Sequence, residues 1–433
     1  MGKRKRLQDN DNRYNALHWS ANIATKTSYR NIKFIGKERI PKDAAIIFAP
    51  NHTGALMDAM VILAMDYKPK VFLARADIFK NPKLAKIFKF MKMMPIMRMR
   101  DGIEEVKKNN RTIEVAAEVL KDRVPLCIFP EGTHQTKYSM LPLSKGIFRI
   151  ALQAKELLGN TPLYIVPVGI RYGNFLRFRS SVSVQFGNPI NVGEFVAEHS
   201  DRSVPEQMNL MREFLTQRMR ENIHYIPNDG EYDAKNEICA AMYAVQRKRS
   251  SAHCANPLVE LNQKTTDEIE ALKQEKPEIA EKLIALGNEA AAMRRQRKIS
   301  LKSVASPKSL PAQAARVLLL LATLPYTLFT TVCTLPTTLL CRVLEGKFKD
   351  KAFHNSVRFG IKFVLWPLLF IIYAAIAFAC LPALWAALAV VALLPAQAVT
   401  QDTFRAARMA VSDFKLWRCK PLKTKYDEIR KLL

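Results

Sequence analysis

The chain has 433 residues, enough for one sizeable core plus a second region. Its net charge of +28 and pI near 9.9 require an anionic partner. Hydrophobic residues make up 49% of the chain while mean hydropathy is only −0.08, so the apolar content is concentrated, and it gathers in the C-terminal third; that excludes a nucleic-acid binder and selects an anionic phospholipid membrane.

Residues 1–30 are a polar, basic lead-in, read either as a solvated tail or as a contact with anionic headgroups. No apolar signal-peptide core follows Met1, and Arg6 stands where a myristoylation signal needs Ser or Thr, so the catalytic region is expected on the cytoplasmic face of the cell inner membrane. Asn31 to Gly36 alternates like a strand. Ala44 to Ala49 is an apolar run that reads as a buried strand, ended by Pro50-Asn51, and Gly54 to Met65 has helical patterning. His52 and Asp58 are thereby delivered to a strand-to-helix turn. Six positions apart, they meet only if His52 lies on the turn and Asp58 in the first turns of the helix. A base held by a carboxylate fits that arrangement, with His134 as a second candidate base.

Val71 to Arg75 is the next strand. Asn81-Pro82 caps a Lys-rich amphipathic helix with Leu84, Ile87, Phe88, Phe90 and Met91 on its apolar side; we expect that side in the core, with a bilayer-surface helix as the lesser reading. Pro95 to Gly102 carries Arg98 and Arg100. A helix over 104–122, a buried strand over 124–129, a helix from Ser144, and strands over 163–170 and 181–186 follow. Ser203 to Glu206 is a capping box that opens a helix to about Ile223. Strands alternating with helices predict an α/β fold with a mainly parallel sheet flanked by helices over residues 31–226. A polar helical segment spans 227–308, where His253 beside Cys254 reads as chance. A membrane-embedded region spans 309–400, and a basic cytoplasmic tail 401–433. Within the apolar region, Val317 to Cys341 and Phe363 to Pro395 carry no charge. The basic connection between them argues that each is a proline-bent hairpin entering and leaving on one face. The seven cysteines have no zinc-ligand spacing, so they read as reduced thiols, and no metal is expected.

Taken in order, the His52 to Asp58 stretch, Pro95 to Gly102, the string Phe129-Pro-Glu-Gly-Thr133 with His134, and Ile165 to Arg171 resemble the four motif blocks of the glycerolipid acyltransferases. This family comprises the glycerol-3-phosphate and lysophosphatidate (1-acylglycerol-3-phosphate) acyltransferases. The resemblance covers roughly Ile32 to Ile190. It implies that His52, held by Asp58, is the general base for an acceptor hydroxyl that attacks an acyl thioester. It also implies that Arg98 or Arg100 grips the acceptor phosphate, that Glu131 orders the acceptor or that arginine, and that Gly132 and Thr133 line the substrate. Lys145, at a helix N-terminus, resembles the family's anion-binding basic residue. The family usually has Arg after the Thr; His134 stands here, and Lys137 or Lys145 is expected to replace that contact. Five residues separate His52 from Asp58, where four are commonest, and that spacing points to the glycerol-3-phosphate branch. The expected activity is transfer of a fatty acyl group from acyl-CoA or acyl carrier protein to glycerol-3-phosphate, with no cofactor. Lysophosphatidate is the alternative acceptor, and a non-catalytic membrane scaffold the alternative of another class.

Overall fold

The computed structural model describes residues 6–97, 109–249 and 256–433. The chain divides into two compact units, Met1–Phe175 with Ser180–Ile223, and Leu176–Arg179 with His224–Leu433.

The first unit is built on one sheet. Its strands are β1 (Tyr29–Ile35), β2 (Ala45–Pro50), β3 (Val71–Arg75), β4 (Met93–Ile96), β5 (Leu126–Cys127), β6 (Leu163–Tyr172), β7 (Ser180–Phe186) and β8 (Ile190–Asn191). They run in the order β1-β7-β6-β2-β5-β3-β4, with β8 also pairing β6. From β6 to β4 every pairing is parallel, and β7 joins β6 antiparallel. All six residues of β2 are buried, as the unbroken apolar run requires of a central strand. Among the described residues the helices of this unit are α1 (Asn12–Ser28), α2 (Leu56–Leu63), α3 (Pro82–Phe90), α4 (Asn109–Lys121), α5 (Gly146–Leu158), α6 (Val192–Glu198) and α7 (Val204–Arg220). The capping box at Ser203 and Glu206 is formed.

Two expectations in this unit are corrected. Much of the lead-in is helix α1, which packs on α2 and buries His18, Asn22 and Thr25. His18 reaches Leu63 O at the end of α2, Asn22 donates to Asp66 O in the loop after it, and the Thr25 hydroxyl donates to Ala21 O within α1. Helix α3 is capped by Asn81 as predicted but has no buried residue, and Leu84, Ile87 and Phe90 are exposed. The amphipathic pattern was right, and the covering layer was not.

In the second unit, α8 (Tyr232–Arg249), α9 (Pro257–Glu275), α10 (Pro277–Gln296), α11 (Leu301–Ala305) and α17 (Lys420–Leu432) share a core of Ile238, Leu283, Leu422, Tyr426 and Ile429. The stretch 401–433, expected as a basic cytoplasmic tail, therefore ends in a helix that joins this core. Leu422, Tyr426 and Ile429 recur at helical spacing and supply the buried stripe. Buried Glu237 ties this core together, accepting from Arg294 at 2.8 Å and from the Tyr426 hydroxyl at 2.6 Å.

The apolar helices are α12 (Leu310–Ala322), α13 (Leu324–Glu345), α14 (Ala352–Cys380), α15 (Ala383–Leu393) and α16 (Ala396–Arg418). By length and composition α13 and α14 can each cross a membrane, and α15 with α16, bent by 54°, makes a third candidate span. The first stretch is not a hairpin. Arg316 meets Asp413, Thr327 meets Thr403 and Gln397 meets Thr337, so α12 and α13 follow one another in one direction along α16. Pro336 and Pro367 lie inside continuous helices, because a proline removes one hydrogen bond and bends a helix without reversing it. The second stretch does turn back, at Leu381-Pro382, where Leu381 is extended as the residue before a proline must be, and α15 packs on α14.

Candidate active site

The C-terminal ends of β2, β5 and β6 lie side by side, the place where open α/β sheets hold ligands. Asn51, at the end of β2, donates to Ile170 O at 3.1 Å and accepts from Ile170 N at 2.6 Å, which stitches the turn to β6. His52 follows on that turn, and α2 begins at Leu56 with Asp58 in its first turn.

The His52 Nδ1 lies 2.7 Å from Asp58 Oδ2. The same oxygen accepts from the backbone N–H of Thr53 at 2.8 Å and of Gly54 at 2.7 Å, and Oδ1 accepts from the Tyr172 hydroxyl at 2.7 Å. Asp58 is fully buried, and each of these neighbours donates to it, a pattern that fits an acceptor-only carboxylate. With Nδ1–H given to Asp58, the imidazole keeps its Nε2 lone pair for an incoming proton. Gly54 is required by space: a Cβ there would sit 2.8 Å from Asp58 Oδ1 and 3.0 Å from the Tyr172 hydroxyl. Ala55, in the left-handed half of the map with φ 52°, completes the tight turn.

Two aromatic rings fix the imidazole plane. Phe129 stacks on His52 with ring centroids 4.3 Å apart, and His134 meets it edge-on at 5.4 Å. Glu131 makes two backbone contacts that the sequence did not foresee. Its carboxylate accepts from His52 N and from Leu141 N, both at 2.7 Å, so it anchors the backbone of the turn that carries His52. Burial pushes its carboxyl up to about 7, against the pull of those two N–H groups, and the nearby Asp58 charge adds to the rise.

Gly132 has φ 66° and no atom that a Cβ would strike, so its need for glycine is conformational. Thr133 and Lys137 are half-buried on the same loop, which returns to Ser144 through a bond from its N–H to Pro130 O at 2.7 Å. Lys145 is exposed immediately before α5, and a Cβ on the adjoining Gly146 would lie 3.4 Å from Ile96, at the end of β4. Arg98 and Arg100, two and four positions beyond Ile96, lie outside the described residues. Sequence reasoning missed Asn51, Tyr172 and the stacking role of Phe129. The available signal was position, since Tyr172 directly follows the fourth block.

Residues 31–171 match the Acyltransferase family model. The chain is 30% identical over 156 residues to a 1-acyl-sn-glycerol-3-phosphate acyltransferase of Cocos nucifera, covering 35% of this chain and 48% of that protein. It is 37% identical over 73 residues to glycerol-3-phosphate O-acyltransferase 1 of Saccharomyces cerevisiae, covering 17% of this chain and 10% of the yeast protein. A crystal structure of a lysophosphatidate acyltransferase from Thermotoga maritima is similar at 21% identity and a TM-score of 0.35, covering 48% of this chain and 77% of that one. The chain thus spans about half the length of the coconut relative and a tenth of the yeast one. Residues 31–171, which supply His52, Asp58 and Glu131, carry the Acyltransferase domain, and this segment's relatives include 1-acylglycerol-3-phosphate and glycerol-3-phosphate acyltransferases.

Proposed function

We propose that the protein is a membrane-bound O-acyltransferase of phospholipid synthesis that moves a fatty acyl group from acyl-CoA or acyl carrier protein to a hydroxyl of glycerol-3-phosphate. The observation that carries this is the 2.7 Å bond from His52 Nδ1 to a buried Asp58 held by three further donors. In the step, His52 Nε2 takes the acceptor hydroxyl proton as the oxygen attacks the thioester carbonyl. The tetrahedral adduct collapses, the C–S bond breaks, and the imidazolium returns its proton to the leaving thiolate. Asp58 stabilises the imidazolium between the two transfers. The step as written uses no cofactor beyond the acyl donor. Lys145, with Arg98 or Arg100, binds the acceptor phosphate.

The five residues from Thr53 to Met57 and the yeast relative support glycerol-3-phosphate as acceptor; the longer coconut match supports lysophosphatidate as the alternative. The exposed Leu84, Ile87 and Phe90 beside Lys83, Lys86 and Lys89 support an anionic bilayer as partner, with the catalytic domain on its cytoplasmic face. The test is acyl transfer by purified, detergent-solubilised protein offered both acceptors in parallel, with His52→Ala as the blank. Glycerol-3-phosphate acylation lost in the variant supports the full reading. Transfer only to lysophosphatidate replaces the acceptor and keeps the base. Transfer to neither favours the membrane scaffold.

A further inference from the structure

The proposed chemistry leaves unused a group of charges in the second unit, gathered around the four residues Leu176–Arg179. Arg358 donates to Leu176 O at 2.7 Å and Arg405 to Arg179 O at 2.6 Å. The Arg179 guanidinium bonds Asp402 Oδ2 at 2.7 Å, and Arg358 also bonds Glu345 at 2.7 Å. Lys362 Nζ lies 3.8 Å from the centre of the Phe178 ring, buried and with no hydrogen-bond partner among the described residues. Arg408 stands within electrostatic reach of Arg177, Arg358 and Arg405. Arg177 and Arg408 are exposed, and neither makes a hydrogen bond among the described residues.

Six cations therefore crowd one short segment, with Glu345 and Asp402 each answering one of them. Like charges held this close raise the free energy of the fold unless an anion joins them. The segment's place tells which anion. Residues 363–401 carry no charge; Arg358 and Lys362 come just before this run, and Asp402, Arg405 and Arg408 just after it. The run thus starts and ends on the same four residues. Where a long uncharged stretch meets its flanking charges, the bilayer presents phosphate.

We propose that Arg177 and Arg408, beside the Arg358, Arg405 and Lys362 cluster on the same segment, hold the phosphate of an anionic phospholipid headgroup. This rests on the bilayer reading above and extends it to one site. Two guanidinium forks offer the paired donors that phosphate oxygens accept, and the exposed position of both arginines leaves room for a headgroup.

The test compares the full-length protein with the double variant Arg177→Gln/Arg408→Gln and with Lys420→Gln/Lys423→Gln, which loses the same charge from exposed positions on α17. Each is purified in detergent from membranes, washed, and its retained phospholipid identified and counted. Thermal midpoints are then read with added phosphatidylglycerol, phosphatidylcholine or inorganic phosphate. Wild type and the α17 variant should retain phosphatidylglycerol over phosphatidylcholine by about tenfold, as two basic residues at a bilayer surface allow. Only these two should be stabilised by it, and the arginine variant should lose the preference while remaining in the membrane fraction. Equal retention by all three proteins overturns the site, and an equal shift with inorganic phosphate overturns the lipid assignment. Wild type recovered outside the membrane fraction would sink the underlying bilayer reading, a result separate from either.

Discussion

Glu131 links the turn that carries His52 to pH. The folded protein raises its carboxyl from 4.5 to about 7, so the native state binds this proton more tightly than the unfolded chain does. The contribution is fully present below pH 4.5 and is lost as pH rises towards 7, amounting to about 3 kcal/mol. Glu131→Gln is neutral at every pH, though its amide can accept only one of the two N–H bonds and so lowers the baseline by a pH-independent amount. Its thermal midpoint should therefore hold across that window while the wild-type midpoint falls relative to it; parallel curves would show that Glu131 does not titrate there. Tyr172→Phe tests a second contact. It removes one donor from a fully buried carboxylate, at a cost of about 2 kcal/mol. It should lower kcat by about tenfold to a hundredfold with little change in KM, because in the proposed mechanism Asp58 acts only through His52. An unchanged kcat would make Tyr172 a packing residue. His52 and Asp58 were legible because a strand, a breaker and a helix stand in immediate succession. Tyr172 was not, since its bond to Asp58 crosses 114 positions and exists only once β6 lies beside β2.

Among the elements, α3 shows what periodicity can and cannot decide. Its apolar stripe was visible in the sequence, yet a stripe says only that a face must be covered, not by what. In the fold that face is open, with Ile87 51% exposed. A solvatochromic dye on Ile87→Cys should shift to the blue in nanodiscs containing phosphatidylglycerol relative to phosphatidylcholine, each lysine adding ~1 kcal/mol of attraction to the anionic surface. Identical emission in the two lipids would remove α3 from the membrane contact. The C-terminal stretch from 401 misled for the related reason that net charge hides a stripe. Helix α17 is dense in lysine, yet Leu422, Tyr426 and Ile429 make it part of a core.

At the scale of the whole molecule, the sequence showed where apolar matter lies but not how it is threaded. Prolines mark bends, and only their neighbours decide whether a bend becomes a reversal. Leu381-Pro382 does reverse the chain, and Arg358 and Arg405 on either side of the uncharged run hold one segment. A cysteine at Lys349 and one at Lys415, each in a cysteine-free background, should accordingly react with an impermeant maleimide from the same face of the membrane. Labelling from opposite faces would break the hairpin reading of residues 363–401.

The threonine ladder of α13 carries a consequence for biosynthesis. Thr330 and Thr334 meet Thr400 across the helix pair, and Thr337 meets Gln397, yet α16 is made only after α14 and α15. On the bilayer reading proposed above, a newly inserted α13 waits in the bilayer with its hydroxyl face unmatched by α16. Each hydroxyl has an acceptor within its own helix, as with Thr327 on Thr323 O at 2.9 Å and Thr337 on Thr334 O at 2.8 Å. On that reading the local bonds leave no hydroxyl donor orphaned among lipids, and α16 docks late by donating from Thr400 and Gln397 to hydroxyl oxygens whose own protons stay bonded within α13.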